Sequence, residues 1–108
     1  MPADSFRVDF ARDAELDLYA IEEYWIRRGE GRRGAKYFRD LAATAMCELA
    51  KPDTARAGRI PRDIDAEGLR ELIVFKRSYR IFYEIDEAGS RVNILRFWHA
   101  HRDAPPLE

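Results

Sequence analysis

Three runs of apolar, β-branched and aromatic residues follow Gly68 and are separated by short polar stretches. They span about Leu69–Lys76, Tyr79–Ile85 and Arg91–His99. Runs of this length and composition, bounded by turn-forming residues, predict an antiparallel three-stranded meander. Lys76-Arg77-Ser78 fits a tight turn and Asp86-Glu87-Ala88-Gly89-Ser90 a looser one. The third run is apolar at both parities, with Val92, Ile94 and Trp98 on one side and Leu95 and Phe97 on the other. That pattern predicts a central strand covered on both faces.

What precedes the meander must cover it. Phe6, Val8 and Phe10 alternate with Arg7 and Asp9, which predicts a short first strand. Ala14, Leu18, Ile21 and Trp25 recur at helical spacing, so a helix is expected over about Asp13–Arg28, ended by Gly29 and Gly31. A second helix is expected over about Arg33–Ala50, with Ala35, Phe38, Leu41, Ala42, Ala45 and Leu49 on one face and Pro52 ending it. The short connection makes the two an antiparallel hairpin. Residues 51–67, with two prolines, Gly58 and many charges, read as loop. The expected fold class is α+β, an N-terminal strand, a helical hairpin and then the meander, with residues 1–108 as one domain and 104–108 as a flexible tail.

Composition narrows the class. A chain of 108 residues, 46% hydrophobic and 36% charged, can bury a core and is not a disordered chain. Met-Pro-Ala-Asp-Ser is not a signal peptide and no apolar run approaches ~20 residues, so a cytoplasmic protein with no membrane partner is expected. The single Cys47 lies in the second helical pattern and reads as a packed or partly exposed thiol. The net charge is only −1, but residues 27–62 hold ten bases against four acids. Arg27, Arg28, Arg32, Arg33, Lys36 and Arg39 could form a surface for nucleic acid or an acidic partner, or simply a solvated helix face.

Several fragments occur together in one order. They are Ala14-x-x-Asp17-Leu18-x-x-Ile21-x-x-Tyr24, then Pro52 with Gly58-Arg59, then Gly68-Leu69-Arg70-Glu71-Leu72. Tyr79-Arg80-Ile81-Phe82-Tyr83 and Ile94-Leu95-Arg96-x-x-His99-x-x-Arg102-Asp103 complete the set. With the order of elements, this resembles the ParE branch of the RelE/ParE toxin superfamily over about Phe6–Asp103. The resemblance implies the toxin of a type II toxin–antitoxin pair that poisons DNA gyrase and is neutralised by a ParD-like antitoxin in a hetero-oligomer. It also implies that the antitoxin's C-terminal segment lies along the hairpin and the sheet, and that no cofactor or sequence-specific DNA contact is needed. RelE-like relatives use the same fold to cut mRNA on the ribosome, so the fold alone does not decide the activity.

Candidate residues follow from these two activities. Ribonuclease chemistry needs a base, an acid and cations to stabilise the phosphate, for which Arg80, Glu84, Arg96 and His99 are the candidates. For a non-catalytic gyrase inhibitor, Tyr24, Trp25, Tyr37, Arg80 and Trp98 are the expected antitoxin contacts, since Trp, Tyr and Arg concentrate where partners dock. His99, His101 and Arg102 are the expected target contacts. His99-Ala-His101-Arg-Asp103 could in principle ligate a metal, but without a distant fourth ligand no metal site is expected. Gly29-x-Gly31-x-x-Gly34 follows a helix, the wrong context for a dinucleotide fingerprint.

Overall fold

In the computed structural model, which describes residues 5–102, two layers meet: a helical hairpin and a four-stranded sheet. The elements are β1 (Arg7–Phe10), α1 (Arg12–Arg27), α2 (Gly31–Glu48), α3 (Pro52–Arg56), β2 (Arg70–Val74), β3 (Tyr79–Asp86) and β4 (Arg91–His99). The expected order and class are borne out, while the residues 104–108 read as a tail lie outside the described residues. One element was not anticipated. Pro52, read as a helix terminator, opens the short helix α3, because a proline at the first position of a helix has no N–H to lose.

The sheet runs β1-β4-β3-β2, with β2–β3 and β3–β4 antiparallel and β1–β4 parallel. The apolar third run is therefore an inner strand, as its composition requires. Its side-chain alternation differs from the sequence expectation, however. Phe82 pairs with Arg96 but Tyr83 pairs with Ile94, so Leu95 is an extra residue on β4. A bulge of this kind reverses the facing of every later residue. Val92, Ile94 and Phe97 consequently share the helix-side core, whereas Trp98 joins Phe82 and Leu69 on the other face.

The hairpin covers its side of the sheet through the stripes the spacing implies. Ala14 and Leu18 of α1 and Leu41 and Ala45 of α2 are buried with Leu49, Ile81, Tyr83 and Ile94. The helices approach closely at Gly34, where a β-carbon would lie 2.8 Å from the Glu22 carbonyl oxygen and 3.0 Å from Trp25 Cβ. Gly34 is thus a helix-packing glycine. Behind the hairpin, the Tyr83 hydroxyl donates to the Ala55 carbonyl at 2.7 Å and ties α3 to the sheet. Burial pushes that phenol up to about 12.

On the opposite face no helix lies among the described residues. The segment between α3 and β2 folds over it, held by the reciprocal backbone bonds Arg59 N–H to Glu71 O (3.0 Å) and Glu71 N–H to Arg59 O (2.8 Å). This second, smaller cluster buries Leu69, Phe82 and Trp98 with Ile64, Ala66 and Leu95 against it.

Candidate functional site

Aromatic side chains converge where the closed end of the hairpin meets the start of β3 and the end of β4. Tyr24 packs edge-on to Trp25, Trp25 stacks on Tyr37 at 5.6 Å, and Tyr37 lies 5.2 Å from Tyr79. Tyr79 in turn meets His99, and His99 meets His101, each at 5.2 Å between rings. Trp25 Nε1–H donates to the Tyr79 hydroxyl at 3.4 Å, and guanidiniums cap the outer rings, Arg28 over Tyr24 and Arg33 over Trp25. A cleft of about 360 Å³ opens beside this ladder, lined by Ile21, Tyr24, Tyr79, Phe97, His99 and Arg102 among others. The cleft exists because β1 stops at Phe10 while its partner β4 continues to His99.

His99 is the partly buried histidine of this ladder. Burial lowers its pKa first, and the neighbouring His101 and Arg102 add to the effect. The His101 backbone N–H donates to His99 Nδ1 at 3.2 Å, which also favours the neutral ring. With the native pKa below the unfolded one, His99 contributes stability that is present above about pH 6.5 and is lost as pH falls through its native value. The expected result is a decline in melting temperature between pH 7.5 and 5 that is shallower in His99→Gln. Equal declines in the two proteins would remove His99 as the cause.

The outer edge of β4 beyond β1 is closed by one side chain. Asp17 of α1 accepts the Phe97 N–H at 3.0 Å and receives the Arg96 guanidinium through two bonds of 2.7 and 2.8 Å. The Arg96 side chain is 15% exposed and that of Asp17 12%. The guanidinium also lies over the Trp98 ring, 4.9 Å from its centroid, and its own ionisation is pushed up by Asp17. Asp17 and Arg96 are 79 residues apart, and no local pattern announces the pair.

Arg80 is built into the other face of the sheet. Its Nε donates to Glu71 at 2.6 Å, and its two terminal nitrogens donate to Asp63 at 2.9 and 2.7 Å. Glu71 is 2% exposed and Arg80 9%, so this is a buried ion pair with a more exposed third member. The hydrogen bonds from Arg80 hold the Asp63 carboxyl below its usual range. The triad staples the 59–68 segment to the sheet.

These positions sort the candidates taken from the sequence. Tyr24, Trp25 and Tyr37 form one aromatic surface, to which Tyr79 and His99 belong. Arg80 and Trp98 pair across β3 and β4 on the opposite face, so the five expected antitoxin contacts do not line a single groove. Of the expected target contacts, His99 and His101 touch each other, while Arg102 stacks on Trp98 at 3.9 Å and also lines the cleft. Of the four ribonuclease candidates, Arg80, Glu84 and Arg96 share the face opposite the hairpin and His99 does not. Glu84 is exposed, Arg80 and Arg96 are each engaged by carboxylates, and His99 faces the hairpin side. Asp103 lies outside the described residues, among which no group of three or more His, Cys, Asp or Glu is placed to hold a metal.

Nor does the arginine-rich middle of the sequence gather into one patch. Arg27 pairs with Glu23, Arg33 with Glu30, Lys36 with Asp40 and Arg56 with Glu87. The cations that do converge are Arg59 and Arg62 with Lys76, Arg77 and Arg80, around a cleft on the face opposite the hairpin. Sequence reading passed over Arg62, Lys76 and Arg77 because they lie in segments read as loop and turn.

Comparison with known proteins fits this architecture. No curated protein matches the chain by sequence. A chain of the chromosomal ParDE toxin–antitoxin system from P. aeruginosa superposes with a TM-score of 0.74 at 19% identity, covering 92% of this chain and 100% of that one. A chain of the RelBE2 toxin–antitoxin complex from Mycobacterium tuberculosis superposes with a TM-score of 0.63 at 22% identity, covering 88% of this chain and 98% of that one. At such identities the likeness establishes the fold. The model of the ParE toxin of the type II toxin–antitoxin system parDE matches residues 8–104. This chain therefore belongs to the ParE toxin family of type II toxin–antitoxin systems.

Proposed function

We propose that this toxin arrests growth by binding and poisoning DNA gyrase in the cytoplasm, without catalysis of its own, and that a ParD-like antitoxin neutralises it. The observation that carries the non-catalytic reading is the state of the two arginines a ribonuclease would use. Arg80 is held by Glu71 and Asp63, and Arg96 by Asp17 at the β4 edge. A cation already neutralised by a carboxylate does little to stabilise a transferring phosphoryl group. Of the remaining candidates for acid and base, His99 lines the cleft on the hairpin side, whereas Glu84 is exposed on the opposite face.

The antitoxin's seat is the hairpin and the aromatic ladder beside it. Of six exposed large hydrophobics among the described residues, five lie on α1 and α2: Leu16, Tyr19, Tyr24, Ile26 and Met46. Exposed aromatic and aliphatic side chains of this kind serve as anchors for a docking partner. Tyr24, Trp25 and Tyr37 fit that role, with His99, His101 and Arg102 left for the target.

Induction of the toxin alone, and with its antitoxin, tests the reading in cells. Growth arrest with chromosomal double-strand breaks and intact mRNA, relieved by the antitoxin, is the expected outcome. Arrest with cleaved mRNA and an unbroken chromosome would transfer the assignment to ribosome-dependent RNA cleavage.

A further inference from the structure

The cleft on the sheet face opposite the hairpin has a volume of about 530 Å³ and is lined by five basic side chains, together with His101 and the carboxylates Asp63 and Glu71 that Arg80 engages. Cations reach it from separate parts of the chain: Arg59 and Arg62 before β2, and Lys76 and Arg77 from the β2–β3 turn. Arg80 forms part of its lining but is committed to Glu71 and Asp63. Arg62, Lys76 and Arg77 are exposed and form no ion pair among the described residues. On a chain of net charge −1, three uncommitted cations around one cleft are not a consequence of general basicity.

The turn that presents two of these cations is strained. Phe75, Lys76 and Arg77 have φ of 54°, 55° and 68°, three consecutive non-glycine residues in the left-handed region. L-residues enter this region at a cost, and a run of three is rare. Strain of this kind persists only where the surroundings enforce it, and it concentrates at functional positions. Part of the enforcement is visible: Phe75 is drawn toward Tyr37 on the hairpin side, and the Ser78 N–H closes the turn onto the Val74 carbonyl at 3.1 Å. Glycine would relieve the strain at Lys76 and Arg77, yet both positions carry positive charge.

We propose that this cleft binds the phosphodiester backbone of a nucleic acid without reading its sequence. An acidic protein segment is the competing ligand, but a peptide needs apolar pockets for its anchoring side chains. Among the described residues, the only apolar ones lining this cleft are Ile73 and Ala100. Phosphates need only unpaired guanidinium and ammonium groups in an open, polar channel. The inference does not depend on gyrase being the target, because the contact is read on the isolated toxin. It is also separate from the antitoxin seat, which lies on the hairpin side.

The test uses the full-length toxin freed of antitoxin, with fluorescent 20-mers of duplex DNA and of single-stranded RNA, and poly-glutamate as competitor. With three phosphate contacts, raising salt from 50 to 200 mM should weaken duplex binding about forty-fold. Arg62→Gln/Lys76→Gln/Arg77→Gln should abolish binding, while Arg27→Gln/Lys36→Gln/Arg39→Gln on the hairpin leaves it intact. Lys76→Gly/Arg77→Gly should weaken binding and yet raise the melting temperature, since the strain is released. Preference for duplex or for RNA identifies the source of the phosphates. No binding, equal loss in the hairpin control, or displacement by poly-glutamate at equal charge would overturn the proposal.

Discussion

Arg80→Ala is expected to destabilise the toxin by about 3–5 kcal/mol, because it strands the buried Glu71 carboxylate without its partner. Against the 5–15 kcal/mol typical of a domain, roughly, that is a large fraction of the total. The contact at 3.8 Å from Arg59 Nε to Glu71 offers a partial substitute and places the value near the lower end. Asp63 adds less, since its side chain is 48% exposed and its attraction to Arg80 is screened. A double variant, Glu71→Leu/Arg80→Met, should recover most of the loss by removing both charges from the interior. Urea denaturation of the three proteins measures this directly. A loss below about 1 kcal/mol in Arg80→Ala would mean that the pair is solvated in the folded protein.

Asp17→Ala should be the second most damaging change, costing about 2–4 kcal/mol. Two effects combine: the Phe97 N–H loses its acceptor, and the Arg96 guanidinium loses both its bonds in a partly buried position. Asp17→Asn separates them. Its amide oxygen can still accept from Phe97, while the charge that holds Arg96 is gone, so an intermediate loss is expected. Equal losses in the two variants would show that the charge carries the whole effect. The same change reopens the β4 edge beyond Phe10, and an edge with free backbone groups tends to self-associate. Thermal melts with light scattering would report both consequences.

The hairpin and the strands were legible in the sequence because their signals are local. Ala14, Leu18, Ile21 and Trp25 declare one helix face by spacing alone, and Tyr79–Ile85 declares a strand by composition. The bulge at Leu95 was not legible. An apolar run such as Val92-Asn-Ile-Leu-Arg-Phe-Trp98 satisfies either facing, and only the pairing with β3 fixes which residue is extra. That single residue is why Trp98 sits with Phe82 and Arg80 away from the aromatic ladder. The aromatic ladder itself was half visible: Tyr24, Trp25 and Tyr37 were singled out by residue type, but their contact with Tyr79 and His99 depends on the tertiary fold. Asp17–Arg96 was hidden because an ion pair 79 residues apart leaves no periodicity, and Glu71–Arg80 because a contact across adjacent strands depends on their register. The left-handed turn at Phe75–Arg77 was hidden because glycine, its usual marker, is absent.

The decisive measurement is made on purified toxin, freed of antitoxin, mixed with DNA gyrase and supercoiled plasmid. The account predicts accumulation of cleaved DNA bound to gyrase, which disappears when the antitoxin is added. A folded, growth-arresting toxin that leaves gyrase turning over normally and instead degrades mRNA on ribosomes would contradict it.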